Sequence, residues 1–124
     1  MIAEIKIKYL AKVDRKTKIV SLNQYKSLHW RKLKTKIDPL KLEFCKMIRD
    51  ASIPKLKWME LRIEHNTRFD LDNLAGTVKI FVDCLRSESV LIEDDRKYWD
   101  YLSLKYNPEL EKNYLLFNIT GEKL

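Results

Sequence analysis

Residues 56–86, LKWMELRIEHNTRFDLDNLAGTVKIFVDCLR, carry the clearest patterns in the chain. The first ten residues alternate apolar and charged side chains, which predicts a half-buried strand over 56–65. After Asp72 the apolar residues return at helical spacing instead, and they predict an amphipathic helix from Asp72 to about Arg86. A strand that leads into an amphipathic helix is typical of a domain in which helices cover a sheet.

Further strands are predicted on both sides of this stretch by the same alternation of apolar and polar residues. These strands are residues 2–13, 98–106 and 114–120, with a short one possible at 19–22. Residues 14–18 are polar and predict a turn, whereas residues 21–30 show no period and predict a loop.

A second helix is predicted over residues 39–51, because Asp38 followed by Pro39 is a typical helix start. The preceding residues 30–37 either stay outside this helix or extend it, with a kink at the proline. We therefore expect an α+β fold: a single domain over residues 1–124, with a mixed β-sheet packed by two helices.

The composition excludes several classes of protein. The chain has 124 residues, of which 45% are hydrophobic and 35% are charged. No apolar run approaches the roughly 20 residues that cross a bilayer, and the first residues lack the apolar core of a secretory signal. Cys45 and Cys84 do not have the spacing of a zinc site, so we expect reduced thiols and a cytoplasmic protein without membrane contact.

The net charge of +7 is unevenly distributed. Residues 1–68 hold 18 Lys and Arg against 7 Asp and Glu, whereas residues 69–124 hold 7 against 11. A basic half favours a nucleic-acid partner, although Lys-rich surfaces also serve solubility alone. The predicted basic contacts are Lys26, Arg31, Lys32, Lys34, Lys36 and Arg68. Tyr25, His29 and Trp30 either stack on bases or, as aromatic residues often do, pack in the core.

The acidic half contains a candidate cation site. Asp70 and Asp72 would point to the same side of an extended segment, where two carboxylates can share a metal ion. On the following helix, Lys79 and Asp83 fall on the same face as Asp72, opposite the apolar face. The run Glu93–Asp95 adds three acids, which either complete an oxygen-rich Mg²⁺ site or form an ordinary solvated loop.

These residues together resemble the RusA family of Holliday junction resolvases. The segments DLDNL, KIFVDCL and VLIEDDRKY match the family pattern D-x-D-N, K-x-x-x-D-x-L and an apolar pair before D-D. The segment LNQYKSLHW resembles the Asn/Tyr/basic loop of the family, so that the similarity spans residues 22–106. Five residues separate Asn73 from Lys79 where the best-known pattern has two, which resembles a phage-type branch.

The resemblance implies a RusA-like fold and a small, dimeric, Mg²⁺-dependent endonuclease of a bacterial or phage-infected cell, with Mn²⁺ as an alternative metal. The family's catalytic metal-binding carboxylates correspond to Asp70, Asp72 and Asp95, and its essential lysine corresponds to Lys79. Asp94 would be a further metal-site acid, and Asn73 and Asp83 would support the site. Asn23 would join the DNA-binding residues.

The expected function is the resolution of four-way DNA junctions by paired symmetric nicks in recombination and repair. The two-fold symmetry of a junction favours a homodimer, and Ile80 and Val82 either meet the partner subunit or add to the core. Two alternatives stay open: a non-catalytic nucleic-acid-binding module, and a nuclease that acts on other branched DNA such as flaps.

Overall fold

A computed structural model describes residues 1–14 and 16–124 of the chain. Its secondary-structure elements, in chain order, are β1 (Ile2–Leu10), β2 (Lys12–Val13), β3 (Lys16–Thr17), α1 (Leu22–Ser27), α2 (Trp30–Asp50), β4 (Leu56–His65), α3 (Leu71–Ser87), β5 (Trp99–Tyr106) and β6 (Tyr114–Lys123).

Four strands form a mixed sheet in the order β1-β6-β4-β5. Strand β6 runs antiparallel to both β1 and β4, whereas β4 and β5 are parallel. Parallel neighbours need a long crossover connection, and α3 supplies it. The expected α+β class with a mixed sheet is therefore confirmed.

The core lies between this sheet and the helices α2 and α3. Alternate residues of β4 and β6 are buried, and Ile63 of β4 pairs with Phe117 of β6. Phe81 of α3 stacks on Phe117 with ring centroids 3.9 Å apart, and Phe44 of α2 meets both rings edge to face. Edge-to-face and offset-stacked rings are the favourable aromatic arrangements, so this cluster joins both helices to the sheet.

The described residues form three helices rather than the predicted two. Residues 22–27, predicted as a loop, form α1 because Ser21 and Gln24 make a reciprocal capping box. The Ser21 hydroxyl accepts a hydrogen bond from the Gln24 backbone N–H, and the Gln24 side chain accepts one from the Ser21 N–H. The pattern S-x-x-Q is the sequence signal that identifies this helix start.

Helix α2 begins at Trp30, not at Pro39. His29 caps it, Pro39 lies inside it, and the extension over residues 30–37 is the correct alternative. Its buried residues are Ile37, Leu40, Phe44 and Ile48. This apolar stripe continues on both sides of the proline, so packing holds the helix together across the missing backbone donor.

The remaining strand predictions are correct within a few residues, with two exceptions. The first strand ends at Leu10, and Ile19–Leu22 contains no strand. Strands β2 and β3 pair as a short hairpin at the predicted turn, of which Arg15 lies outside the described residues. In the part of the chain that the structure covers, no helix has both the length and the apolarity to cross a membrane.

Candidate functional site

Helix α3 is buried over most of its circumference. The buried positions are Leu74, Gly76, Thr77, Val78, Ile80, Phe81, Val82, Cys84 and Leu85. Ile80 and Val82 belong to this buried set, so they contribute to the core of this chain. At about 100° per residue, the narrow stripe left to solvent carries Asp72, Lys79 and Asp83. The charged face predicted from the sequence is thus the exposed stripe of a central helix.

The segment before α1 packs against α3 and forms hydrogen bonds with it. The Thr77 hydroxyl accepts a hydrogen bond from the Val20 N–H (2.7 Å) and donates one to the Val20 carbonyl (3.1 Å). A Cβ at Gly76 would overlap the Val20 carbonyl oxygen and lie 2.6 Å from that of Ser21. Only glycine permits this close backbone approach, so Gly76 and Thr77 position α1 against α3.

As a result, Asp70 and Asp72 share a cavity with residues of α1. The cavity measures about 500 Å³, and Asn23, Lys26 and Asn73 also line it. Asp70 has an extended backbone, but Leu71 and Asp72 are helical, so the expectation of an extended segment over residues 70–72 is only partly correct. Asp70 is the N-cap of α3, its side chain accepting a hydrogen bond from the Asn73 N–H (2.9 Å), and Asp72 lies in the first turn. The two carboxylates are neighbours because they begin the same helix.

Lys79 lies further along the same stripe, with its Nζ 5.7 Å from the centre of the Tyr25 ring of α1. It lines a second cavity of about 240 Å³, together with Asp83, Asp94 and apolar side chains such as Trp99. Helical rise places Asp83 roughly 16 Å along the axis from Asp72. The two acidic cavities therefore lie at different levels of α3.

Asp94 and Asp95 belong to the exposed segment between α3 and β5. Arg86 lies 3.6 Å from Glu93 and 3.7 Å from Asp94, and Asp95 accepts a hydrogen bond from the Lys97 N–H (3.0 Å). Among residues 1–14 and 16–124, no three His, Cys, Asp or Glu side chains form a group that could hold a metal ion. Asp70 and Asp72 thus line one cavity, and Asp95 is not among the residues that line it.

The expected metal ligands also included Asp94 and Asp95. The pair Asp70 and Asp72 alone still suits magnesium. Mg²⁺ commonly binds one or two protein carboxylates and completes its shell with waters and substrate phosphates. The exposure of both side chains leaves room for these additional ligands. The residues present therefore fit Mg²⁺ as a two-carboxylate site open to a phosphate ligand.

The predicted basic residues are solvent-exposed. Those on the first part of α2 are Arg31, Lys32, Lys34 and Lys36. Lys26 and Arg68 are also exposed, as are Asn23 and His29. Trp30 is 62% exposed and Arg31 lies over its ring, so the alternative of core packing is wrong for Trp30. Tyr25 is half-buried and packs against the core.

The strand that leads to Asp70 ends at a buried histidine. His65 Nδ1 lies 2.9 Å from the Thr67 hydroxyl, and its ring meets the Tyr106 ring edge to face. Burial lowers the pKa of His65, because an apolar surrounding disfavours the charged imidazolium. These contacts hold Thr67, three residues before Asp70, close to the end of the sheet.

Comparisons with known proteins find no relative from which a function could be transferred: no protein-family model matches this chain, and no curated protein matches it.

Proposed function

We propose that this protein is a Mg²⁺-dependent, structure-selective endonuclease of the RusA type that resolves four-way DNA junctions by paired symmetric nicks. The observation that carries the proposal is the cavity in which two carboxylates, Asp70 and Asp72, meet Lys26 and Asn23 of α1. Carboxylates beside exposed cations suit a metal ion and the phosphodiester that it must approach.

The residues of the cavity have separate roles in this proposal. Asp70 and Asp72 would hold Mg²⁺, which when bound activates water and neutralises charge on the phosphodiester. Lys26 binds a phosphate beside the carboxylates. Lys79, held close to Tyr25, supplies positive charge toward the reacting group along the same helix face. Asp95 is the third acid that the resemblance implies.

The basic residues of α1 and α2 form the proposed DNA-binding surface. Exposed Trp30, with Arg31 over its ring, offers a flat face for a base, and stacking of this kind contributes about 1–3 kcal/mol per base. Arg68, two residues before Asp70 in sequence, supplies a further exposed cation. In this proposal the protein works on branched DNA in the cytoplasm of a bacterial or phage-infected cell, with Mn²⁺ as an alternative metal.

The decisive experiment compares the Asp70→Asn and Asp72→Asn variants with the unmodified protein on a labelled four-way junction, with and without Mg²⁺. Asparagine caps a helix about as well as aspartate, so Asp70→Asn removes charge without removing the cap. We expect both variants to lose at least about 100-fold in cleavage rate, equivalent to roughly 3 kcal/mol or more.

Binding of the junction should stay intact or become tighter in both variants, because each loses a negative charge that faces DNA. Asp38→Asn, which changes an exposed acid on α2, is the matched control and should cut normally. Normal cutting by Asp70→Asn or Asp72→Asn would contradict the proposal.

A second candidate function is a nucleic-acid-binding module without catalysis. The finding that no three His, Cys, Asp or Glu side chains among the described residues form a metal-holding group favours it. A shift of the junction in a gel without any Mg²⁺-dependent nick would support this candidate. Cleavage of flaps in preference to junctions would instead retain the same residues and change the substrate.

A further inference from the structure

A cavity of about 380 Å³ opens at the end of the sheet where β4 and β5 finish. Three cations line it: Lys12 from β2, Arg68 from the β4–α3 connection and Lys112 from the β5–β6 connection. These residues are far apart in sequence, and the fold assembles them. Lys12 and Lys112 were not among the DNA-binding residues predicted from the sequence.

The charge of this cavity is entirely positive. No carboxylate lines it, and none of its three cations forms an ion pair with any residue in the described part of the chain. Like charges that are gathered without a counter-charge repel each other and disfavour the compact state. An anion that binds between them would relieve this repulsion.

Backbone hydrogen bonds connect the loops that surround the cavity. The Asn113 N–H donates to the Asn66 carbonyl (2.6 Å), and the Asn66 N–H donates to the Tyr114 carbonyl (3.0 Å). Asn113 has a φ of 70°, a left-handed conformation that asparagine tolerates, and its carbonyl accepts from the Ala11 N–H (2.7 Å). The loops that carry the cations are thus fixed to one another before a ligand arrives.

We propose that this cavity binds a phosphate group of a nucleic-acid backbone, as an anchoring point separate from the carboxylate cavity. Arg68 can contact an anion through two parallel N–H groups, and the two lysines add point charges. Because Arg68 lies two residues before Asp70, at most about 7 Å along the chain, one DNA molecule can reach both cavities. The assignment to DNA rests on the proposed function.

The test compares two double variants with the same charge change. Lys12→Gln/Lys112→Gln alters the cavity, whereas Lys55→Gln/Lys123→Gln removes two exposed lysines that do not line it. Affinity for a labelled DNA duplex is measured by fluorescence anisotropy at several salt concentrations, without divalent metal. Each lost phosphate contact should reduce the slope of log affinity against log salt by about 0.9.

We expect the cavity variant to bind DNA at least about tenfold more weakly than the control variant and to show the smaller slope. Lys12→Arg/Lys112→Arg retains the charge and should restore binding, which separates loss of contact from loss of fold. A slope and affinity equal to those of the control variant would overturn the inference.

A second measurement distinguishes the two sources of a phosphate. Inorganic phosphate is titrated into the unmodified protein while the backbone amide signals of Thr67, Arg68 and Lys112 are followed by NMR. Shifts at these amides, together with the reduced DNA slope, support the inference. Shifts without any change in slope would mean that the cavity takes free phosphate only, and they would overturn the assignment to DNA.

The binding experiment is independent of cleavage. If the unmodified protein cuts no DNA but the cavity variant shows a smaller slope of log affinity against log salt, the anchoring site is supported and the proposed nuclease function is wrong. If the protein cuts junctions and the cavity variant has the same salt slope as the control variant, the nuclease proposal is supported and the anchoring site is wrong.

Discussion

The carboxylate of Asp70 has a structural role before any ligand is considered. It accepts the Asn73 N–H at the start of α3, and Asp72 lies in the first turn of the same helix. Negative charge at this end complements the helix dipole by roughly 0.3–1 kcal/mol for each residue. Both acids therefore stabilise the helix as well as being candidate metal ligands, and only a variant that keeps the cap separates the two roles.

His65 should make the stability of the protein depend on pH. Its pKa in the folded state is lowered from the ordinary value of 6.5 by burial, so the unfolded chain binds the proton more readily. The contribution of His65 to the free energy of unfolding is therefore fully present above the ordinary pKa of 6.5, and it is lost as the pH falls below 6.5. We expect the free energy of unfolding to decrease from pH 7 to pH 5 in urea titrations.

The variant His65→Gln should flatten this dependence, because glutamine does not take up a proton. His29→Gln alters the exposed histidine at the start of α2 and is the matched control. An equal slope in the His65→Gln variant and the unmodified protein would show that other groups cause the pH dependence.

At the scale of the element, the contact between the Val20 segment and α3 determines where α1 lies. Thr77→Val keeps the shape of the side chain but leaves the N–H and the carbonyl of Val20 without their buried partner. An unsatisfied buried polar group costs about 1–3 kcal/mol, so we expect a loss of that size in the free energy of unfolding. Chemical denaturation measures it.

The same variant should bind DNA more weakly, because Tyr25 and Lys26 depend on this contact for their position. Thr35→Val is the matched control: Thr35 is exposed on α2 and its hydroxyl donates only to the Arg31 carbonyl. Its stability should change by no more than about 0.5 kcal/mol. Unchanged stability in Thr77→Val would disprove the positioning role assigned to this contact.

At the scale of the whole molecule, one edge strand of the sheet exposes large apolar side chains. Strand β5 is an outer strand, and its Tyr101 and Leu102 are 43% and 47% exposed. A two-fold pair of β5 strands would cover these side chains and give the paired sites that a symmetric junction requires. We therefore expect a homodimer at micromolar concentration in analytical ultracentrifugation.

Leu102→Glu should shift this dimer to a monomer, because two negative charges would meet at the interface. Leu42→Glu places the same charge on an exposed leucine of α2 and should leave the dimer intact. A strictly monomeric unmodified protein would contradict the paired-nick proposal, while a dimer that persists in Leu102→Glu would place the interface elsewhere.

The elements that the sequence predicts best are those whose periodicity is strong and uninterrupted. Strand β4 and helix α3 follow the predicted ranges closely because β4 buries alternate residues and α3 exposes only a narrow stripe, so that both periods are clear in the sequence. Helix α1 is hard to predict because it is short and has no buried residue, so that its capping residues are its only local signal. The start of α2 differs from the prediction because tertiary packing overrides the local preference of Pro39.

The site is predictable only in part. The acids at the start of α3 and the charged stripe behind them follow from residue spacing. Their position relative to α1 depends on how the chain packs around α3. Lys12 and Lys112 carried no signal at all, because an isolated lysine in a sequence indicates only exposure.

By itself, the sequence determined the fold class, the central strand and helix, and the residue types available for phosphate and metal chemistry, because local periodicity and composition need no partner. Only the tertiary structure decided that α1 lies beside Asp70 and Asp72, and that three distant cations share one cavity. Such contacts join segments many residues apart, so they arise from packing and chain topology, which no local pattern encodes.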